Sequence, residues 1–132
     1  MNDAVSVETK KRILLIEDNM DTQLIYKVYL RELYEIDICS TGDSGLKRLT
    51  ENEYDLLILD INLPGKINGS IILDEIRNNF QDKKIPVLVV TAYAMKTDKG
   101  KFLSQGADDY LPKPINKEDF MNKVAQIISS RN

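Results

Sequence analysis

Tyr54-Asp55-Leu56-Leu57-Ile58-Leu59-Asp60-Ile61-Asn62-Leu63-Pro64-Gly65 is the stretch whose reading decides the fold. Leu56 to Leu59 is apolar without alternation, the pattern of a strand buried on both faces in a parallel sheet. It stops at an acid, Asp60, and Asn62, Pro64 and Gly65 then signal a loop. Open α/β sheets place their chemistry at the carboxyl ends of central strands, which is where Asp60 falls. Taken alone, Asp60 could equally end a strand and begin a turn, so the rest of the chain must decide between the two.

Working outward, Arg12-Ile13-Leu14-Leu15-Ile16 is a short β run that ends in Glu17-Asp18-Asn19. From Met20 to about Leu33, Leu24, Ile25, Val28, Tyr29 and Leu33 fall at helical spacing, and Asp18 or Asn19 supplies the cap. Tyr34 to Cys39 returns to strand. Ser40 to Asp43 is a turn that opens a second helix with Leu46 and Leu49 facing inward. Beyond the quoted stretch, Ser70 to Phe80 reads as a helix with Ile72, Leu73, Ile76 and Phe80 as its buried stripe. Ile85 to Val90 is a second doubly buried strand running into Thr91-Ala92, with Pro86 at its start.

Residues 97–105 form a weak, polar helix that contains Gly100 and is anchored only by Phe102 and Leu103. A fifth strand spans 106–111, followed by Pro112-Lys113-Pro114. Asn116-Lys117-Glu118-Asp119 resembles a capping box for a last helix with Phe120, Val124, Ile127 and Ile128. Five strand–helix units in succession imply a parallel sheet covered on both faces, joined by right-handed crossovers. Residues 1–11 read as a loose tail and residues 12–130 as one domain.

Composition narrows the chemistry. The chain has 132 residues, 42% hydrophobic and 30% charged, enough for one domain with a real core. A net charge of −3 gives no basic surface for nucleic acid. Cys39 is the only cysteine, and no apolar run is long enough to span a membrane, so a cytoplasmic setting is expected. There is no histidine, which excludes Ser-His-Asp and Cys-His catalysis and His-ligated zinc.

In the expected sheet, Glu17, Asp18, Asp60, Thr91 and Lys113 lie at carboxyl ends of strands that share one edge, so groups distant in sequence can meet. Clustered carboxylates repel by roughly 4 kcal/mol per pair at an effective dielectric of 20. A raised pKa, a lysine or a divalent cation must offset that repulsion. An all-oxygen donor set suits Mg²⁺. A metal, a lysine and a hydroxyl facing a free carboxylate are the equipment of phosphoryl transfer, with Asp60 as nucleophile.

With these residues in place, the sequence resembles a receiver domain of two-component response regulators, of the single-domain, chemotaxis-regulator-like kind, from about Lys11 to Ser129. The marks are Glu17-Asp18, Asp60 with Asn62 and Pro64 after it, Thr91-Ala92, Tyr110 and Lys113-Pro114. The resemblance implies a flavodoxin-like (βα)5 three-layer sandwich with sheet order 2-1-3-4-5. It implies that Asp60 accepts a phosphoryl group from a histidine kinase or histidine phosphotransfer protein.

Asp18, Asp60 and the Asn62 backbone carbonyl would ligate Mg²⁺, with Glu17 acting through water. Lys113 would pair with the acceptor or its phosphoryl group, and the backbone of Ala92 and Asn62 would contact that group. Thr91 and Tyr110 would be switch residues, and the Lys113–Pro114 bond would be cis. Output would pass to a protein partner through the fourth helix, fifth strand and fifth helix, from a monomer or a phosphorylation-dependent dimer. The chain would be a phosphoacceptor that sheds its own phosphate, not an enzyme acting on other substrates, and would stand alone without a DNA-binding domain.

One departure concerns Leu63 to Gly69, one residue longer than the family's commonest spacing from acceptor to glycine. Asn62 and Tyr93 occupy positions where family members tune phosphate lifetime. An alternative is an aspartate-nucleophile phosphatase for small phosphoesters. That class carries its nucleophile on the first strand, which here ends Glu17-Asp18-Asn19.

Overall fold

A computed structural model describes residues 9–79, 84–92 and 96–130. The elements in order are β1 (Lys11–Ile16), α1 (Met20–Leu30), β2 (Tyr34–Cys39), α2 (Gly42–Glu51) and β3 (Leu56–Asp60). They continue with α3 (Gly69–Asn79), β4 (Val87–Thr91), α4 (Lys96–Ser104), β5 (Asp109–Pro112) and α5 (Lys117–Ser130). The strands form one parallel sheet in the order β2-β1-β3-β4-β5, the flavodoxin-like order expected.

Every residue of β3 and β4 is buried, because helices cover both faces of the central strands. The pleat divides their side chains between two cores. Leu57, Leu59, Val87 and Val89 join Ile72, Leu73, Ile76 and Phe102 on one face. Leu56, Ile58, Leu88 and Val90 join Tyr26, Leu30, Phe120 and Val124 on the other. Tyr26 stacks on Phe120 with ring centroids 4.8 Å apart, locking α1 to α5. α5 buries Phe120, Val124, Ile127 and Ile128, the stripe read from its spacing.

Local chemistry sets the helix starts. Asn19 accepts from the Thr22 N–H, so it, and not Asp18, caps α1. Thr41 caps α2 through Ser44 N–H, and Asn116 accepts from Asp119 N–H ahead of α5.

α1 departs from its expected packing. Leu24, Ile25 and Val28 face outward, with Leu24 61% exposed, and Leu33 lies beyond the helix end. Tyr26 and Leu30 take the inward positions. Apolar spacing marks a face of a helix, and here the marked face is not the one the sheet covers.

Among the described side chains of α4 Phe102 is buried, while Leu103 is exposed. The helix begins at Lys96 and ends at Ser104. β1 takes in Lys11, which pairs with Tyr34, and so starts inside the stretch read as tail. β4 starts after Pro86 and includes Thr91, while β5 starts at Asp109 because residues 106–108 form the approach to it. Phe80, Tyr93 and residues 1–8 lie outside the described residues.

Arg77 on α3 fastens the far edge of the sheet. Its Nε donates to Gly106 O (2.9 Å), its Nη1 to Ile85 O (3.0 Å), and its Nη2 meets Asp108 Oδ2 (3.1 Å). The same Asp108 oxygen accepts from Val87 N–H at 2.7 Å. These bonds set the start of β4 against the approach to β5, and so the height at which both strands deliver their carboxyl ends.

Candidate functional site

Asp60 closes β3 with only 6% of its surface exposed. Its Oδ1 accepts from the Asn62 N–H at 3.1 Å, an Asx turn that carries the chain out of the strand. Gly65 holds φ at +90° in open space, a conformation glycine adopts without strain. Gly69 then packs directly under the site. A Cβ there would lie 2.5 Å from Ile61 Cα and 2.8 Å from Asp60 O, so only glycine fits. Gly69 N–H also donates to Ile61 O, so backbone contacts hold the end of the loop against the residue after Asp60.

Glu17 follows β1 and is almost fully buried, at 1% exposure. Its N–H donates to Cys39 O, which prolongs the β1–β2 ladder by one bond. Its carboxylate accepts from Asn19 N–H at 3.1 Å and from Lys113 Nζ at 2.6 Å. Asp18 beside it is exposed. One oxygen from each of Glu17, Asp18 and Asp60 lies within 4.8 Å of the others. That all-oxygen set fits a hard divalent cation, which keeps several waters and takes one or two carboxylates.

Burial raises the Glu17 pKa above the ordinary glutamate value, and the Asp60 charge adds to this. The hydrogen bonds from Lys113 and Asn19 N–H oppose it without cancelling it. The cost of gathering acids is therefore met in two of the expected ways: a carboxyl made harder to ionise, and a lysine.

Lys113 arrives on the far side because its N–H donates to Thr91 O at 2.8 Å, holding the chain beyond β5 against the end of β4. Its Nζ lies 3.7 Å from Asp60 Oδ2, a looser contact than the one to Glu17. The Lys113–Pro114 peptide is cis. Thr91 is fully buried, and its Oγ1 accepts from Asn62 Nδ2 at 2.8 Å. Ala92 is exposed just beyond it. Tyr110 is buried and stacks on Phe102, with centroids 5.8 Å apart.

The sheet edge thus brings Glu17, Asp18, Asp60 and Lys113 together, with Asn62 bridging from Asp60 to Thr91. Tyr110 stands on β5 beside Val89 of β4 and stacks on Phe102 of α4. Two contacts have no counterpart in the sequence reading. The first is the Asn62 side-chain bond to Thr91. The second is Gln23, whose amide donates to Glu17 O and to Ser40 Oγ (3.0 Å), clamping the acidic loop to the end of β2. Gln23 shares a helical face with Tyr26 and Leu30, so a polar residue on the inward stripe was the available signal.

The sequence matches the response regulator receiver domain family over residues 13–125. It is 35% identical over 118 residues to response regulator ArlR of Staphylococcus saprophyticus, covering 89% of this chain and 52% of that protein. It is 30% identical over 125 residues to transcriptional regulatory protein RprY of Bacteroides fragilis, covering 94% and 52%. The chain thus spans about half the length of the curated relatives it matches. The fold superposes on a two-component response regulator from Clostridium difficile with a TM-score of 0.85 at 29% identity, over 93% of this chain and 99% of that one. On a CheY-like response regulator receiver domain protein from Methanospirillum hungatei the TM-score is 0.82 at 28% identity, over 92% and 96%.

Proposed function

The chain belongs to the response regulator receiver domain family, and from that premise we propose that Asp60 is the phosphoacceptor, taking its phosphoryl group from a phosphohistidine on a kinase or phosphotransfer protein. The observation that carries this reading is the buried Asp60 carboxylate with Lys113 on one side and two further acids within 4.8 Å.

One Asp60 carboxylate oxygen attacks phosphorus, the P–N bond breaks, and the donor imidazole leaves with its electron pair. Asp18, Asp60 and the Asn62 carbonyl would hold Mg²⁺, with Glu17 through water. When bound, the metal would neutralise charge on the transferring group. Lys113 steadies a phosphoryl oxygen and must give up part of its hold on Glu17 to do so. The Thr91 hydroxyl and the N–H groups of Asn62 and Ala92 take the remaining oxygens. Attack by water on the acyl phosphate later releases inorganic phosphate and restores Asp60.

The donor must face the rim where β1 and β3 end. The exposed apolar band Met20, Leu24, Ile25 and Val28 on α1 starts two residues past Asp18, and supports that surface as the donor's seat. Output would pass through α4, β5 and α5, biased by Thr91 and Tyr110, with Tyr110 already inward against Phe102. Among the described residues no helix is long and apolar enough to cross a membrane, in keeping with a cytoplasmic setting.

Acetyl phosphate with Mg²⁺, followed by intact mass, tests the acceptor. Wild type should gain one phosphoryl mass and Asp60→Asn none; a gain on the variant refutes the assignment. Leu24→Glu should slow transfer from a phosphohistidine donor while leaving acetyl phosphate labelling unchanged. Equal slowing of both would place the effect in the site instead.

A further inference from the structure

Gln23 ties the acidic loop down from behind. Its side-chain Nε2 carries two hydrogens, and it donates to Glu17 O and to Ser40 Oγ (3.0 Å). Glu17 O belongs to the peptide that joins Glu17 to Asp18, so the amide fixes the plane from which Asp18 departs. The N–H groups on either side are held elsewhere, that of Glu17 by Cys39 O on β2 and that of Asn19 by the Glu17 carboxylate. The carbonyl between them is held by α1. We propose that Gln23 is a positioning residue and a specificity determinant for the metal: it sets Asp18 in the geometry that Mg²⁺ requires and Ca²⁺ does not. The inference rests on the Mg²⁺ part of the function proposed above and adds to it the residue that selects the ion.

The two ions differ in tolerance. Mg²⁺ takes oxygens at about 2.0–2.1 Å in near-ideal octahedral order, whereas Ca²⁺ accepts about 2.3–2.6 Å and an irregular shell. Within the cluster, Glu17 and Asp60 are buried, and their carboxylates are held by Lys113 Nζ (2.6 Å) and Asn62 N–H (3.1 Å) respectively. Asp18 is exposed, so its place depends most on the backbone beneath it. Gln23 presents its amide from a firm support, because Tyr26, three residues on, stacks on Phe120 at 4.8 Å. A shift of Asp18 by a few tenths of an ångström spoils an octahedron, while a larger, irregular shell absorbs it.

The test compares wild type with Gln23→Met. Methionine keeps the length of the side chain, its neutrality and a good helix propensity, and removes only the donors, so the electric field at the cluster is unchanged. Mg²⁺ and Ca²⁺ are titrated separately, without a phosphoryl donor. Binding is followed by ¹H–¹⁵N NMR because the chain has no tryptophan. Gln23→Met should bind Mg²⁺ roughly three- to tenfold more weakly than wild type, the range expected for one net hydrogen bond. Its Ca²⁺ affinity should change by less than about twofold, so its preference for Mg²⁺ falls. Should Gln23→Met give no folded spectrum, Ser40→Ala, at an exposed position, carries the same test with the same sign of change, since it frees one of the two amide hydrogens.

Unchanged or tighter Mg²⁺ binding by the variant overturns the proposal. So does an equal loss for both ions, which is what a general loosening of the loop would give. Failure of wild type itself to bind Mg²⁺ is a different result, and refutes the metal assignment on which this inference stands.

Discussion

Replacing Asp60 with asparagine should make the metal-free protein more stable, although it removes the proposed acceptor. The three acidic ligand atoms lie within 4.8 Å of one another. At an effective dielectric of 20, two unit charges at that distance repel by about 3.5 kcal/mol. Lys113, 3.7 Å from Asp60 Oδ2, offsets this by about 4.5 kcal/mol on the same scale. Asp60→Asn removes two repulsions and one attraction, which favours the variant by about 2.5 kcal/mol at full ionisation.

Two features of the site reduce that figure. Asp18 is exposed, so water screens its share. Glu17, with its raised pKa, is harder to ionise beside Asp60. A gain of about 1–2 kcal/mol remains, or about 3–8 °C in Tm for a domain of this size. The new amide keeps an oxygen to accept from Asn62 N–H, so the loop geometry survives the change.

The assay is thermal unfolding by circular dichroism, first in chelator and then in millimolar Mg²⁺. Wild type should gain from Mg²⁺ because the ion binds the folded state alone, and the variant, short of a ligand, should gain much less. The two melting curves should therefore cross over as Mg²⁺ is added. A variant that melts at or below wild type in chelator would refute the claim that repulsion is stored at this rim. Equal Mg²⁺ gains in both proteins would refute the ligand assignment of Asp60.

Three further outcomes follow from the same geometry. In chelator, Glu17 favours the folded state fully below the ordinary glutamate range, and that contribution is lost as pH rises through its raised folded value; wild type should therefore lose stability relative to Glu17→Gln, which does not titrate, across that window in denaturant titrations, and Mg²⁺ should abolish the slope. Gly69→Ala should destabilise by roughly 1–3 kcal/mol, because its Cβ meets backbone at Ile61 and Asp60; urea unfolding checks this, and Mg²⁺ affinity should fall with it as the Asp60 end of the loop shifts. Phe102→Ala removes the one buried side chain described in α4 and its stack on Tyr110, a change worth roughly 3 kcal/mol; hydrogen exchange should show protection lost first across α4 and β5, while β1 and β3 keep theirs.

Much of this protein is written locally. The uninterrupted apolar runs of β3 and β4 require cover on both faces, and with alternating strands and helices they are enough for a parallel sheet and its shared carboxyl edge. That Glu17, Asp18, Asp60 and Lys113 meet was legible for the same reason: a parallel sheet delivers its strand ends to one rim. The cap at Asn116 was legible, and that of α1 was narrowed to Asp18 or Asn19, because capping is a short-range hydrogen bond; the structure chose Asn19.

What the tertiary structure alone decided are the matters of who faces whom. Leu24, Ile25 and Val28 form a helical stripe, but a helix carries its stripe to the core or to solvent depending on how it is set against the sheet, and Tyr26 and Leu30 take the inward places. Leu103 and Phe102 are chain neighbours about 100° apart around a helix, and which of them is covered depends on how α4 is set against the sheet; Phe102 is buried and Leu103 exposed. Lys113 lies closer to Glu17 than to Asp60, and Asn62 reaches Thr91 across 29 positions. Such pairings depend on distances of a few ångströms between separate strands, and spacing along the chain carries no record of them.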